Sequence, residues 1–164
     1  MLNSIRKTVV LLLMSIICLN ASAQLTIVKN GKAKTEIAIV DDNSANNAAA
    51  KLLQDFISRI TGAVLPLSPT TGKGAHIIIG EQSSKVGEDG FEIVCEKGIL
   101  HIKTGGDKGS IYGVVTLLEN VLGVKYYAKD FYTLDKRPTI TIPALHRSES
   151  PAFRYRQTQS YGYE

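Results

Sequence analysis

Residues 90–123, GFEIVCEKGILHIKTGGDKGSIYGVVTLLENVLG, contain two strand patterns followed directly by a helix pattern. If Lys97 and Gly98 form a two-residue turn, apolar residues pair on one face of the hairpin and polar residues on the other. The predicted cross-strand pairs are Cys95–Leu100, Ile93–Ile102, Glu92–Lys103 and Val94–His101. Because a shift of one residue would exchange the two faces, the pattern predicts this register.

The second half of the stretch predicts a helix that ends at Gly123. Apolar residues recur at helical spacing and form one stripe: Ile111, Val114, Val115, Leu118, Val121 and Leu122. Gly113 lies inside this helix, where glycine costs about 1 kcal/mol relative to alanine. We therefore expect close packing against the sheet at Gly113.

The chain before this stretch predicts a hairpin and a second amphipathic helix. Residues 25–40 read as two strands around an Asn30-Gly31 turn. The helix that follows has an apolar stripe of Ala45, Ala49, Leu52, Phe56 and Ile60. The polar cluster 41–44 provides its N-cap and acidic partners for the helix dipole, and Gly62 suits its C-terminal end.

Shorter strands complete the predicted sheet. The segment AVLPLSP, residues 63–69, is an edge strand because Pro66 lacks a backbone donor. The continuous apolar run GAHIIIG, residues 74–80, is typical of a buried central strand, and short extended segments occupy 124–134 and 137–145. The sequence thus predicts an α/β (α+β) fold, a two-layer sandwich with a mixed sheet of about five strands and two helices on one face.

Residues 1–23 carry the pattern of an export signal. Arg6 and Lys7 precede an apolar run over residues 9–19, and Ala21–Ala23 provides small residues for cleavage. The run is shorter than the ~20 apolar residues that a membrane-spanning helix needs. We therefore expect an exported protein, periplasmic or extracellular, with residues 1–23 as its signal peptide and no membrane association after cleavage.

Composition narrows the class of protein. Arg6 and Lys7 are two of the 19 basic residues, so 17 basic and 15 acidic side chains remain after cleavage, an excess too small to favour nucleic acid as a partner. Cys95 is then the only cysteine, so stability must come from an apolar core. A chain from Gln24 to Glu164 supports one core and falls short of the ~250 residues of a TIM barrel.

Several residue groups could carry chemistry, and each has a stronger structural interpretation. The glycine-rich TGGDKGSIYG, residues 104–113, matches no nucleotide-binding motif and suits a strand-to-helix turn. The predicted register sends Cys95 and His101 to opposite faces, which argues against a cysteine–histidine nucleophile. Asp41 and Asp42 could form an acid/base pair, but helix capping explains them better.

Histidines and tyrosines give no firm site from the sequence. The three histidines, His76, His101 and His146, lie far apart without a second cysteine, so we expect no metal site and no cofactor. Four tyrosines could stack on sugar rings, although core or interface roles are favoured: Tyr126, Tyr127, Tyr132 and Tyr155. The sequence therefore assigns no catalytic residue to this chain.

Six motifs in order resemble a known family. They are AAAKLLQDFISRITG, IIIG, DGFEI, the G-x-x-Y-G of Gly109–Gly113, LLENVLGVKYY and PAFRYR. Over residues 25–156 the chain resembles the N-terminal domain that precedes the catalytic barrel in exported glycoside hydrolases. These enzymes include α-glucuronidases, β-N-acetylhexosaminidases and bacterial members with a domain of unknown function. The later motifs look closer to the α-glucuronidase-like and unknown-function members.

The resemblance implies a two-part glycoside hydrolase that acts in polysaccharide or glycan breakdown. Residues 24–150 would be its non-catalytic N-terminal domain, and 151–164 the start of a truncated catalytic barrel. The catalytic carboxylates would then lie beyond Glu164. Arg156 matches a substrate-binding arginine of the hexosaminidases, although Gln157 replaces the glycine of their motif. From Gln157 onward we expect an irregular chain.

A second hypothesis comes from a different class of protein. The chain could be a free-standing carbohydrate-binding or adhesion module without hydrolase activity, using exposed tyrosines to hold glycans. Under the first hypothesis, by contrast, the principal partner of the domain is its own catalytic barrel, and the glycan substrate binds the parent enzyme.

Overall fold

The computed structural model describes residues 24–69, 72, 74–128 and 130–152. In chain order the described elements are β1 (Leu25–Lys29), β2 (Lys32–Ala33), β3 (Glu36–Ile39), α1 (Ser44–Thr61), β4 (Leu67–Ser68), β5 (Ala75–Gln82), β6 (Phe91–Glu96), β7 (Ile99–Thr104), α2 (Gly109–Asn120), β8 (Lys125–Ala128), β9 (Phe131–Thr133), β10 (Ile140–Ile142) and β11 (Leu145–Glu149). The principal sheet has six strands in the order β11-β6-β7-β5-β3-β4.

The β6–β7 hairpin has the predicted register. All four predicted pairs are present, from Glu92–Lys103 to Cys95–Leu100. Lys97 and Gly98 both have positive φ, 50° and 77°, which is the backbone of the two-residue turn that matches strand twist. The alternation of apolar and polar residues therefore specifies both the pairing and the face of each side chain.

Helix α1 begins and ends at the predicted caps. The Asn43 side chain accepts a hydrogen bond from the Asn46 N–H at 2.9 Å, and Gly62 adopts φ +78° and donates to the Ser58 carbonyl. The buried stripe differs from the predicted one, since Leu53 is fully buried and Leu52 only partly. The buried face is wider than the predicted stripe because α1 packs against both the sheet and α2.

The predicted second strand after Asn30-Gly31 is divided between two sheets. β2 pairs with β1 around the predicted turn, whereas β3 pairs in parallel with β5 in the principal sheet. Between them the Thr35 hydroxyl donates to the Gly74 carbonyl at 3.0 Å and accepts from the His76 N–H at 2.8 Å. These bonds hold the chain where it crosses, so one continuous strand was the wrong interpretation.

The mixed two-layer architecture is confirmed. β3, β4, β5 and β7 run parallel. β6 pairs antiparallel with β7 and with β11, so β6 runs opposite to the other five strands of this sheet. α1 and α2 pack against each other and cover one face, burying an apolar core between helices and sheet. The sixth strand is β11, and β1, β2 and β10 form a separate small sheet.

Gly113 is a point of close approach between α2 and the sheet. A Cβ built at this glycine would lie 2.8 Å from Ile102 Cγ2 and 3.4 Å from Phe91 Cβ. The predicted reason for a glycine inside the helix is therefore confirmed. Neither described helix combines the length and the apolar character that crossing a membrane requires.

Candidate functional site

Cys95 and His101 lie on opposite faces of the sheet, as the register predicted. The Cys95 side chain faces the core and is 1% exposed, and His101 points to the face away from the helices. Burial raises the pKa of the Cys95 thiol. A hydrogen bond with the Leu25 backbone lowers this pKa by less, so the net shift is upward. A buried thiol that resists ionisation is a poor nucleophile, so Cys95 serves as a small core residue.

Two histidines that are distant in sequence, His101 and His146, lie near each other in the principal sheet. His101 and His146 flank Val94 in one cross-strand row, each bonded to its own carboxylate. His101 Nδ1 lies 2.8 Å from Glu81, and His146 Nε2 lies 2.8 Å from Glu92. Within the described residues, no group of three or more histidine, cysteine or carboxylate side chains could hold a metal ion. Each histidine therefore contacts one carboxylate, and the two histidines do not share a ligand site.

Glu92 is the most buried of these carboxylates. Its side chain is 4% exposed and accepts hydrogen bonds from Ser83 at 2.9 Å, Lys85 at 3.3 Å and His146 at 2.8 Å. Burial alone would raise the pKa of Glu92, but the bonds from His146, Ser83 and Lys85 outweigh burial and leave it below its ordinary value. The Glu92 carboxylate thus links β6 to the loop after β5, through Ser83 and Lys85, and to β11, through His146.

Glu92→Gln is expected to lower the free energy of unfolding by about 1–3 kcal/mol at pH 7, since it removes the charge that three donors solvate. A carboxyl whose pKa is lowered on folding stabilises the protein above the unfolded pKa, near 4.3, and loses this effect as the pH falls through the folded pKa. Urea unfolding at pH 7, 5 and 3 measures both effects. The advantage of the wild-type chain over the variant should persist at pH 5 and shrink at pH 3, below the unfolded pKa near 4.3, and a constant difference would contradict the assignment.

The glycine-rich turn before α2 is filled by protein. A Cβ at Gly105 would meet the Gly87 carbonyl, and one at Gly109 would meet the Gly90 carbonyl. Lys108 is the N-cap residue and makes no side-chain capping bond. The glycines therefore permit the turn to pack on residues 87–90, which accounts for them without a phosphate.

Asp41 and Asp42 organise the start of α1. The Asp41 carboxylate accepts from Asn43 at 2.8 Å, and the Asp42 carboxylate accepts from Asn47 at 2.5 Å. Asn46, buried beneath them, donates to the Asp41 carbonyl at 2.9 Å. The N-cap itself is Asn43, and the first turn of α1 contains no acidic residue, so the prediction that Asp41 and Asp42 act as dipole partners was wrong. The two carboxylates instead bond the side chains of Asn43 and Asn47.

The tyrosines divide into packed and exposed groups. The rings of Tyr126 and Tyr132 lie 5.7 and 5.1 Å from that of Phe56, and Arg59 stacks on two of the three rings. Burial, with Glu119 nearby, raises the pKa of the Tyr126 hydroxyl. Tyr127 is exposed instead, and Tyr155 lies outside the described residues.

A groove of about 490 Å³ lies between α2 and the last described residues. Its walls are Asp89, Phe91, Lys108, Tyr112, Val115, Thr116, Glu149, Ser150, Pro151 and Ala152. The lining mixes aromatic, aliphatic and oppositely charged side chains, and the Tyr112 ring is 42% exposed. Such a mixture suits contact with protein better than a small-molecule site with a few converging polar groups. Arg156, the substrate contact that the family resemblance implies, lies outside the described residues.

Sequence reasoning missed this groove. Its two walls, α2 and the end of β11, come from separate parts of the chain and meet only because β11 pairs with β6. The local signal in the sequence is the spacing of Tyr112 and Thr116, which lie one helical turn apart on α2. The groove is consequently a product of tertiary pairing.

Fold and surface together define a two-layer α/β domain with an open groove beside α2. Residues 26–144 match the family described as glycosyl hydrolase family 20, domain 2. The chain belongs to this family, which confirms the resemblance inferred from the motifs. No curated protein matches the chain.

Solved structures with a similar fold include members of two glycoside hydrolase families. The GH20 exo-β-N-acetylglucosaminidase of Vibrio harveyi is 22% identical, with TM-score 0.57 over 81% of this chain and 18% of that one. The Streptomyces plicatus N-acetyl-β-hexosaminidase is 18% identical, with TM-score 0.61 over 83% and 25%. A GH115 4-O-methyl-α-glucuronidase with specificity for decorated arabinogalactans, BtGH115A, is 19% identical, with TM-score 0.62 over 80% and 19%. The chain thus spans a quarter or less of each.

Proposed function

We propose that this chain is the exported, non-catalytic N-terminal domain of a glycoside hydrolase that degrades polysaccharides or glycans, and that it packs against a catalytic barrel encoded after it. The observation that carries the proposal is the family match over residues 26–144. Residues 151–164 would form the entry into the barrel, with Arg156 near its first strand. In this role the domain holds the barrel and shapes the approach to its active site.

The groove beside Pro151 supports the position of that barrel. Polypeptide that continues beyond residue 152 starts at this groove, because Pro151 and Ala152 form part of its wall. The outer side of α2 presents Tyr112 and the partly buried Val115 and Thr116 at the same place. Exposed aromatic surface with charged Lys108 and Glu149 at its rim has the composition of an interface between domains.

Export is supported by the N-terminal pattern of residues 1–23. Two basic residues, an apolar run and the small segment Ala21–Ala23 are the features that signal peptidase reads. N-terminal sequencing of the protein recovered from the periplasm or the medium should begin at Gln24. Recovery of only the unprocessed chain from the cytoplasm would contradict export.

An α-glucuronidase-like activity of the parent enzyme is supported by the sequence between Leu122 and Arg156. The likeness of the fold does not separate the two families, since the TM-scores are 0.62 for the glucuronidase and 0.61 for a hexosaminidase. The proposal therefore predicts that the parent releases uronic acid from glucuronoxylan faster than it cleaves an aryl N-acetylglucosaminide.

The chain by itself is expected to be catalytically silent. Purified chain should release no more nitrophenol than buffer from aryl α-glucuronide and aryl N-acetylglucosaminide, whereas the product of the full open reading frame should turn over one of them. Sequencing past the codon for Glu164 supplies that frame. Turnover by the chain that ends at Glu164, or a stop codon directly after it, would contradict the proposal.

A further inference from the structure

The β8–β9 ribbon has one packed face and one exposed face. Tyr126 and Tyr132 pair across the ribbon and pack on Phe56 of α1. The rings of Tyr127 and Phe131 lie on the other side, 5.6 Å apart at 48°, and remain 61% and 62% exposed. The packed pair fixes the ribbon, so the exposed pair is held in place without being covered.

The exposed pair depends on an irregularity in the ribbon. Tyr126 pairs with Tyr132 and Ala128 pairs with Phe131, so Tyr127 is an additional residue on β8. The next pair along, Lys125 and Thr133, is also exposed. Two residues of strand span about 7 Å, so the backbones of Lys125 and Thr133 lie about that far along the ribbon from Tyr127 and Phe131.

We propose that Tyr127 and Phe131 form a glycan-contact site, in which the rings stack on the C–H face of a pyranose residue of a polysaccharide. Lys125 and Thr133 are placed to bond the hydroxyl or carboxylate groups at the rim of the sugar. Aromatic rings supply a large apolar area with little entropy to lose, because each has few rotatable bonds. This site adds binding to the domain and does not depend on the presence of a barrel.

The size and place of the patch favour a sugar over a protein partner. Fully exposed aromatic side chains present ~150–250 Å² each, so two rings about 60% exposed offer roughly 250 Å². A stable protein interface needs about 800 Å² on each partner. The patch follows the C-terminal end of α2, whereas Tyr112 of the groove lies near its N-terminal end, and 12 helical residues span about 18 Å.

Frontal affinity chromatography of the full chain on immobilised glucuronoxylan, arabinogalactan and chitin tests the site. We expect retention on at least one matrix at about 0.15 M salt, where exposed charges are largely screened. Tyr127→Ala combined with Phe131→Ala should weaken that retention about tenfold, since both stacking contacts are lost. Val64→Ala, which changes another exposed apolar residue, should leave it unchanged.

The double variant should keep the Tm of the wild-type chain, because both side chains are exposed. Absence of retention on all three matrices, or equal retention of the double variant, would overturn the proposal. A third result, in the product of the full open reading frame, would also overturn it. In that result the double variant keeps its glycan retention, but it alone is cleaved by protease between the domains. That outcome would assign the pair to an interdomain contact.

Discussion

Ile102→Ala is expected to lower the free energy of unfolding by about 3–4 kcal/mol, a large part of the stability of a domain of this size. Ile102 is fully buried at the centre of β7, between Ile79 of β5 and Ile93 of β6. Its Cγ2 atom also lies against Gly113 of α2. Truncation removes apolar contacts with both layers and leaves a cavity that regular elements on all sides cannot close.

Urea unfolding followed by circular dichroism measures this loss. Val40→Ala provides a matched control, because Val40 directly follows β3 and is 49% exposed. It should change the free energy of unfolding by less than about 0.5 kcal/mol. A loss below about 1 kcal/mol for Ile102→Ala would mean that the helix and sheet layers do not meet at this residue.

Gly113→Leu is expected to destabilise the domain by about 3 kcal/mol or more, despite the better helix propensity of leucine. The new Cβ alone would lie 2.8 Å from Ile102 Cγ2, and the remaining side-chain atoms have no space between α2 and β6. The helix must therefore move away from the sheet. This movement separates apolar surfaces that the native domain buries.

Thermal unfolding of Gly113→Leu should show a clearly lower Tm, and Gly87→Leu serves as its control. A Cβ at Gly87 meets no atom within 4 Å, so the same chemical change there should have a small effect. If both variants have the same Tm, the close contact between Gly113 and Ile102 does not contribute to the stability of the domain. An intermediate effect of Gly113→Ala is expected, since its helix propensity offsets part of the strain.

Local patterns predicted the parts of the fold that depend on near neighbours. The β6–β7 register followed from alternating residues and a turn at Lys97-Gly98, both within one hairpin. The ends of α1 followed from Asn43 and Gly62, whose roles involve hydrogen bonds over three or four residues. The position of β4 at the edge of the sheet followed from Pro66, which lies directly before it.

Long-range pairings could not be predicted in the same way. β1 pairs with β10, close to the opposite end of the described chain, and β11 joins β6 although β7, α2 and three further strands lie between them in sequence. These strands are short, and their own residues do not distinguish one partner from another. The division of residues 32–39 between two sheets was missed because it depends on the contacts of Thr35 with Gly74 and His76.

The candidate surfaces illustrate the same limit. The sequence identified four tyrosines as possible sugar contacts but could not tell which ones pack inward. Phe56 decides this by holding Tyr126 and Tyr132, which leaves Tyr127 beside Phe131. The groove beside Pro151 had no sequence signal, since its walls come from distant segments.

Periodicity and short motifs were enough to establish the order of the helices and main strands, the faces of the β6–β7 hairpin and the family resemblance. Packing of the whole chain was needed for the sixth strand, the burial of Glu92 among Ser83, Lys85 and His146, and the exposure of the aromatic pair. The physical reason is that burial belongs to the packed chain. A side chain loses water only when segments distant in sequence close over it, and no local pattern specifies which segments those are.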